Sequence, residues 1–302
     1  MKILVTGSTG LIGSALVSFL TTGGHEVTRL VRSKSRRAID GIPVLVWDPG
    51  SGKLDPAALE GLDGVIHLAG ESIAAARWTP AQKSRIVESR VKSTFLLAET
   101  LAKLSYPPKV LICSSAIGYY GNRGDEQLNE DSFSGSDFLS RVCREWEMAT
   151  SPASKKGIRV VHIRTGIVLS PAGGALAKML TPFRIGVGGV IGNGQQYMSW
   201  IALDDVVGTY HHALLNETLR GPVNAVSPSP VTNRVFTKTL GKVLRRPTIF
   251  PLPAFAARLG FGEMADALLL SSARVVPRKL LSSGYQFRFL DLEKALRHLL
   301  AK

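Results

Sequence analysis

The chain has 302 residues, of which 45% are hydrophobic, so it is long enough for one large domain or two smaller ones. Its two cysteines are too few for a disulfide framework, and no apolar run reaches the ~18 residues that a membrane-spanning helix needs. With 37 basic and 23 acidic residues the net charge is +14, which would attract phosphorylated ligands, nucleic acid or acidic surfaces; the alternative is a well-solvated basic surface.

The N-terminus and the cysteines predict a cytoplasmic location. The first strand begins directly at the start of the chain, which leaves no room for a signal peptide. Free cysteines fit a reducing compartment, and we expect no membrane partner.

The first predicted strand, Ile3 to Val5, runs into a glycine-rich turn and then into a helix. Gly7, Gly10 and Gly13 have the spacing Gly-x-x-Gly-x-x-Gly. In that context the first glycine permits a tight turn, the second a close approach to a pyrophosphate, and the third close packing of helix on strand. Backbone N–H groups at the helix start attract phosphate. The predicted cofactor contacts here are Gly7, Thr9, Gly10, Leu11, Ile12 and Gly13.

The end of the second predicted strand, Val27 to Val31, selects the nicotinamide cofactor. In dinucleotide folds an acidic residue at this point binds the ribose hydroxyl of NAD, whereas an arginine accommodates the 2′-phosphate of NADP. Arg32 and Ser33 stand there, and the planar guanidinium of an arginine suits a phosphate. The sequence therefore predicts NADP(H), with Arg32 and Ser33 as contacts. The alternative is that Arg32 is one solvated member of a basic loop.

Strands and helices alternate through the first half of the chain. Further strands are predicted at Val44 to Trp47, Val65 to Leu68, Val110 to Cys113 and Arg159 to Ile163, with long helices over 80–104 and 135–150. This alternation predicts an α/β fold with a doubly wound parallel sheet. Residues 1–170 are expected to form the nucleotide-binding domain and residues 171–302 a smaller substrate-side lobe. The glycine-rich stretch 173–194 is predicted to form loops over the site.

Several motifs are shared with a known group of proteins. They include the glycine turn, Gly118-Tyr119-Tyr120-Gly121, Trp146-Glu147 and Gly262-Glu263-Met264-Ala265-Asp266. Together they resemble the extended short-chain dehydrogenase/reductase superfamily and, within it, the atypical group labelled epimerase family proteins, over essentially the whole chain. The resemblance implies a Rossmann-type sheet, a bound nucleotide and a C-terminal substrate-side lobe, and it implies no particular substrate. One departure is Ala202, where relatives usually carry a histidine.

The resemblance also implies further cofactor contacts. Leu68, Ala69 and Gly70 end the fourth strand, where superfamily members place a small-residue turn beside the cofactor. Arg85 and Arg90 lie on the following long helix, which passes under the nicotinamide half in superfamily members. The alternative for Arg90 is an ordinary surface arginine.

The catalytic pair of the superfamily is missing from this chain. Superfamily enzymes use a serine or threonine after the fifth strand and a Tyr-x-x-x-Lys pair on the next helix, in which the lysine lowers the pKa of the tyrosine. None of the six tyrosines is followed by a lysine four residues later. The remaining candidates for proton transfer are Ser115, Tyr119 and Tyr120. Arg123, four residues after Tyr119, would stabilise its phenolate if both side chains face the site. The alternative is that Tyr120 packs in the core and Tyr119 faces solvent or the cofactor pocket.

Three functions are open at this point. The first is an NADP-dependent oxidoreductase or nucleotide-sugar-epimerase-like enzyme. Its substrate would be an unknown small molecule, and anionic compounds are among the candidates. The second is a catalytically silent NADP sensor or regulatory protein, which the missing pair favours. The third, ranked last, is binding of nucleic acid or another polyanion through Arg234, Lys238 and Lys242, which share one predicted helix face.

Metal binding and self-association are two further questions. The histidines and cysteines show no metal-ligand spacing, so no metal is predicted. Superfamily members often dimerise through two long helices, which makes helices 80–104 and 135–150 the candidates for a homodimer interface.

Overall fold

The computed structural model describes residues 1–32 and 41–302. The strands are Lys2–Thr6 (β1), Glu26–Arg32 (β2), Val44–Trp47 (β3), Gly64–His67 (β4), Val110–Ala116 (β5), Gln127–Leu128 (β6), Arg159–Thr165 (β7), Ile167–Leu169 (β8), Tyr197–Met198 (β9), Trp200–Ala202 (β10), Gly221–Ala225 (β11), Val231–Thr232 (β12) and Arg274–Val275 (β13). The α-helices are Leu11–Thr22 (α1), Pro80–Lys103 (α2), Phe138–Met148 (α3), Ser151–Lys155 (α4), Gly174–Arg184 (α5), Leu203–Leu215 (α6), Asn233–Leu244 (α7), Ala254–Phe261 (α8), Arg278–Ser282 (α9) and Leu292–Leu299 (α10). A π-helix follows α8 over Ala265–Leu270.

Seven strands of the described chain form one parallel sheet in the order β11-β7-β5-β4-β1-β2-β3. The strand order reverses at β1, because β2 and β3 lie on one side of it and β4, β5 and β7 on the other. This is the Rossmann-type doubly wound sheet that the sequence predicts. In such sheets the ligand crevice lies at the C-terminal ends of the strands, beside the reversal.

Helices cover both faces of the sheet. Ile3 and Val5 of β1 pack on one face, in the same cluster as the apolar residues of α1 and α6. Leu4, between them, packs on the other face with the apolar side of α2. Because both faces are buried, the strand reads as a continuous apolar run instead of an alternating one. Such apolar runs are what predicts the strands of the first half from the sequence.

The C-terminal half has an apolar cluster of its own. Its helices α5, α7 and α10 enclose a separate apolar cluster around Trp200. The stretch 173–194 was predicted to form loops, but its first part is the helix α5. Leu176, Leu180 and Phe183 are buried along one side of this helix, and that apolar spacing outweighs the glycines around it.

The two halves share the central sheet. Strand β11 comes from beyond residue 170 and pairs in parallel with β7. The division into a nucleotide-binding part, residues 1–170, and a substrate-side part, residues 171–302, therefore stays a prediction. Both parts would belong to one structural unit. Within residues 1–32 and 41–302, every helix is too short or too polar to span a lipid bilayer.

Candidate functional site

The turn between β1 and α1 is closed by backbone contacts that only glycine allows. Gly7 has a φ of +63°, and a Cβ added to it would lie 2.6 Å from the carbonyl carbon of Leu68. A Cβ on Gly13 would lie 2.2 Å from the carbonyl oxygen of Gly7, so α1 packs directly on the turn. Gly10 donates its N–H to the Gly7 carbonyl at 3.0 Å and immediately precedes α1. The N-terminus of α1 is thus held at the C-terminal end of β1, where it attracts anions.

The neighbouring residues of the turn differ in their surroundings, and one of them has a polar group suited to a phosphate. Thr9 is exposed at the mouth of the turn. Leu11 lies 3.4 Å from where a Cβ of Gly173 would be, and Ile12 packs against the core beneath. The hydroxyl of Ser8 is buried and has no hydrogen-bond partner among the described residues. A buried hydroxyl without a partner next to a helix N-terminus is a group that a bound phosphate would satisfy.

The end of β4 is tied to the end of β1 by one threonine. The Thr6 hydroxyl oxygen accepts hydrogen bonds from the backbone N–H groups of Leu68 and Ala69, both at 3.1 Å. It also lies 2.8 Å from Nδ1 of His67. Because the oxygen already accepts two bonds, its proton goes to Nδ1. The turn 68–70 therefore has a fixed position beside the glycine turn.

The same histidine connects β4 to α2. Nε2 of His67 lies 3.4 Å from the hydroxyl of Ser93, which donates to the Ser89 carbonyl at 2.6 Å. The Ser89 hydroxyl in turn accepts the N–H of Glu71 at 3.0 Å. Burial lowers the pKa of His67 to about 3, so the ring is neutral and bridges Thr6 and Ser93.

Of the two predicted arginines on α2, one meets the turn. The guanidinium of Arg90 stacks on the Trp146 ring, 5.0 Å from its centroid, and lies 3.3 Å from where a Cβ of Gly70 would be. The Arg90 side chain therefore packs directly against Gly70, and a Cβ there would push it back by a few tenths of an ångström. Arg85 is exposed and donates to the side chain of Gln82 within α2. The structure brings Arg90 to the crevice and places Arg85 on the solvent side.

Arg32 stands at the level of the glycine turn. Thr6, the last residue of β1, is in register with Leu30, and β2 continues two residues further to Arg32. The Arg32 side chain is exposed at this edge of the sheet. Ser33, the other predicted contact for the 2′-phosphate, lies outside the described residues.

A buried ion pair underlies the end of β5. Arg164 of β7 donates two hydrogen bonds to the Glu147 carboxylate, both at 2.8 Å, and the two side chains are 3% and 12% exposed. Ser115 donates to the same carboxylate at 2.7 Å. Burial opposes the charge of Arg164, but the hydrogen bonds and charge of Glu147 outweigh it and raise the arginine pKa. The predicted residue Ser115 is thus part of a buried charge network.

Tyr120 belongs to the same network. Its ring is fully buried, and its hydroxyl donates to the side-chain oxygen of Asn224 at 2.7 Å and accepts from Arg164 at 3.1 Å. Burial raises the pKa of Tyr120 to about 12. Both hydrogen-bonding capacities of this phenol are used inside the protein.

Tyr119 is half-buried and has a different partner from the predicted one. Its ring lies over the Arg164 guanidinium, with 3.4 Å between the guanidinium carbon and the ring centroid. Arg123 instead forms hydrogen bonds to Glu126 at 2.8 Å. The cation beside Tyr119 therefore comes from β7 and lies under the ring face.

The helix that would carry the tyrosine and lysine is α3. A Cβ on Gly118, just after β5, would lie 3.2 Å from Cβ of Leu139 and 3.9 Å from Sγ of Cys143. These two residues are four apart on the side of α3 that faces the strand end, which is the spacing of the missing pair. Burial raises the pKa of the Cys143 thiol to about 12, so it is neutral.

Four residues of the site were not singled out from the sequence: Thr6, His67, Glu147 and Arg164. Glu147 was visible within the Trp146-Glu147 motif, but its role depends on Arg164, 17 residues later on another element. Thr6 directly precedes Gly7, and that adjacency was the available signal. No group of three or more potential metal ligands occurs within the described ranges.

Comparison with known proteins places the chain among epimerase-like sequences. A family model described as "NAD dependent epimerase/dehydratase family" matches residues 3–225, and one described as "Domain of unknown function (DUF1731)" matches residues 252–299. An epimerase family protein of Mycobacterium tuberculosis is 44% identical over 294 residues, which cover 97% of this chain and 96% of the relative. The human epimerase family protein SDR39U1 is 36% identical over 304 residues, covering 100% of both.

Solved structures agree with the sequence comparisons. The crystal structure of human SDR39U1 with NADPH has a TM-score of 0.90 at 36% identity and covers 100% of both chains. A nucleoside-diphosphate sugar epimerase from Corynebacterium glutamicum has a TM-score of 0.81 at 40% identity, covering 99% of this chain and 58% of the other. The UDP-glucose 4-epimerase of Thermotoga maritima, at 20% identity and a TM-score of 0.78, shares the fold over 100% of this chain and 99% of its own.

Proposed function

The chain belongs to the NAD-dependent epimerase/dehydratase family, within its epimerase family protein group, and we propose that it is an NADP(H)-binding oxidoreductase or epimerase-like enzyme acting on a small molecule. The observation that carries this proposal is the glycine turn at the strand-order reversal, with Arg32 beside it. Both features stand on the C-terminal edge of one sheet, where a dinucleotide would lie across them.

The choice of NADP(H) rests on charge. Arg32 ends β2 level with the glycine turn. Its neighbours in the sequence, Val31 and Ser33, carry no carboxylate that would repel a phosphate. Its guanidinium would bind the 2′-phosphate, together with Ser33. The human relative that was crystallised with NADPH supports the same choice.

The other half of the cofactor has its own set of contacts. We assign the nicotinamide side to Leu68, Ala69 and Gly70, with Arg90 packed behind them. The cofactor, when bound, supplies or takes up a hydride. The protein must then hold the substrate beside this turn and move one proton.

Tyr119 is the best candidate for moving that proton. Tyr120 has both its hydroxyl bonds within the core, and Ser115 donates to Glu147. Tyr119 is half-buried, and the Arg164 guanidinium lies against the face of its ring and holds the ring in place. Ser115 and Tyr120 would then position Arg164 and Glu147.

A second function is favoured by one observation. Leu139 and Cys143 stand four residues apart on the face of α3 that meets the end of β5, the spacing that the tyrosine and lysine of the superfamily would have. Neither side chain can pass a proton at neutral pH, since the thiol is buried and neutral. A protein that binds NADP(H) as a sensor, without turnover, would have this arrangement.

The proposal extends to the cellular location, the charge of the substrate and the partners of the protein. Both cysteines are free and buried, which fits the cytoplasm. The net charge of +14 favours an anionic substrate. A homodimer through α2 and α3 stays a prediction from the sequence. Binding of a polyanion also stays a prediction and is ranked lower.

The test begins with fluorescence titration of the purified protein with NADPH and NADH. We expect NADPH to bind more tightly, and Arg32→Ala to weaken NADPH about tenfold or more while changing NADH little, because one charge-assisted contact is lost. Arg220→Ala removes the same charge next to β11 at the opposite edge of the sheet and should change neither. Tighter NADH binding would contradict the cofactor choice.

Turnover is tested with NADPH and a panel of carbonyl compounds. For an enzyme, Tyr119→Phe should lower the rate about a hundredfold or more at unchanged NADPH affinity, because general acid–base groups contribute that much. Tyr106→Phe is the matched control, since it removes the hydroxyl of an exposed tyrosine just after α2, and it should leave the rate unchanged. Tight NADPH binding with no oxidation by any compound would favour the sensor.

A further inference from the structure

The segment 254–263 buries few side chains, and the chain is anchored before it and after it. Before α8, the N–H of Leu252 donates to the Val190 carbonyl at 2.8 Å. After the π-helix, the N–H of Ser272 donates to the side chain of Asn122 at 3.0 Å. Within α8 only Ala257 is buried. Segments with few buried contacts open locally at low free energy.

Two side chains of the nucleotide-binding half hold α8 and the turn after it. Arg77 donates to the carbonyl oxygen of Leu259 at 2.8 Å. Nζ of Lys83 lies 2.6 and 2.7 Å from the two carboxylate oxygens of Glu263. The Lys83 and Glu263 side chains are 29% and 51% exposed, so water competes for this pair.

These contacts lie at the edge of the proposed cofactor crevice. Arg77 precedes α2 in the loop that follows the turn 68–70, and Lys83 is in the first turn of α2. Nζ of Lys83 is also 5.0 Å from the ring centroid of Phe138, the first residue of α3. The contacts therefore stand where the loop after β4 meets the start of α3, on the nicotinamide side of the assignment above.

We infer that residues 254–263 form a flap that closes the crevice over bound NADP(H), with Arg77 and Lys83 as its latch. The inference rests on the proposed cofactor site. The latch is polar and partly exposed, so it breaks and re-forms without disturbing a core. Gly262, with a φ of +59°, ends α8 and gives the backbone a turn that other residues adopt at a cost. Closure would keep water from the nicotinamide side and slow cofactor release.

The test measures how fast NADPH leaves the protein when an excess of NADP⁺ displaces it. Lys83→Met and Glu263→Gln should each speed release about 2- to 5-fold, the range for breaking an exposed ion pair. The double variant should add little to either single change, because both remove the same contact. The control pair is Lys242→Met and Glu293→Gln, which breaks an exposed ion pair of 2.7 Å between α7 and α10 and should leave release unchanged.

Hydrogen exchange gives a second measurement. NADPH should slow exchange of the amides of residues 254–263 in the natural protein, and less so in Lys83→Met. NADPH binding with equal release rates in all variants and unchanged exchange in the flap would overturn the flap and leave the cofactor site standing. No saturable NADPH binding by the natural protein would overturn both.

Discussion

The glycine turn and the end of β5 hold their functional groups by different physical means. In the turn, positions are fixed by backbone contacts: α1 sits so close that a Cβ on Gly13 would lie 2.2 Å from the Gly7 carbonyl oxygen. At the end of β5, positions are fixed by charge: Glu147 accepts from Arg164 and Ser115 below the surface. The turn should therefore be sensitive to added volume, and the end of β5 to a lost charge.

The largest effect is expected from the buried ion pair. Glu147→Met leaves the Arg164 guanidinium, 3% exposed, without its counter-charge and should lower the free energy of unfolding by about 3–5 kcal/mol. The double variant with Arg164→Met should recover most of this loss, since no buried charge remains. Urea denaturation of both variants checks the expectation. If the double variant were as unstable as the single one, packing rather than charge would control this region.

In the turn the corresponding change is one methyl group. Gly13→Ala should lower the free energy of unfolding by about 1–3 kcal/mol, because the new Cβ collides with backbone and α1 has to shift. NADPH affinity should fall with it, since the N-terminus of α1 moves. Thermal denaturation and the NADPH titration measure the two effects.

Gly260→Ala is the matched control for the turn. A Cβ at Gly260 in α8 would have no atom within 4 Å, so the protein should be unchanged or stabilised by up to about 1 kcal/mol. Equal destabilisation by both substitutions would mean that the turn has no special need for glycine, which would remove half of the contrast.

The contrast also explains what the sequence revealed. A backbone constraint shows in the sequence because glycine alone satisfies it, so Gly7, Gly10 and Gly13 and the strand before them predict the turn. The parallel strands could be predicted because both of their faces are buried, which gives each strand a continuous apolar run. Arg32 could be placed level with the glycine turn because its position follows from the end of one strand.

A charge network depends on residues that only the fold brings together. Arg123 was the predicted neighbour of Tyr119 because it is close in sequence, whereas the ring of Tyr119 lies on Arg164, 45 residues away on β7. Strand β11 was missed for a similar reason. It contains a proline and an asparagine, and its pairing with β7 overrides its weak strand propensity.

The next effect depends on pH and concerns His67, which lies between the two regions. Burial lowers its pKa to about 3 from an ordinary value of 6.5. Below pH 6.5 the unfolded chain takes up a proton that the folded chain refuses, so stability from this site is complete above pH 6.5 and is lost as the pH falls toward 3. The loss approaches about 1.4 kcal/mol per pH unit, or about 2 kcal/mol at pH 5.

His67→Asn should remove that part of the pH dependence, which urea denaturation between pH 7 and pH 5 would measure as a smaller difference than in the natural protein. Thr6→Val separates titration from packing: it removes the hydroxyl 2.8 Å from Nδ1 but keeps the ring, so it should be less stable at every pH and retain the slope. If His67→Asn retained the full slope, the buried ring would be charged in the folded state. The Thr6 hydroxyl could not then give its proton to Nδ1, and a different bond would have to hold the turn 68–70 beside Gly7.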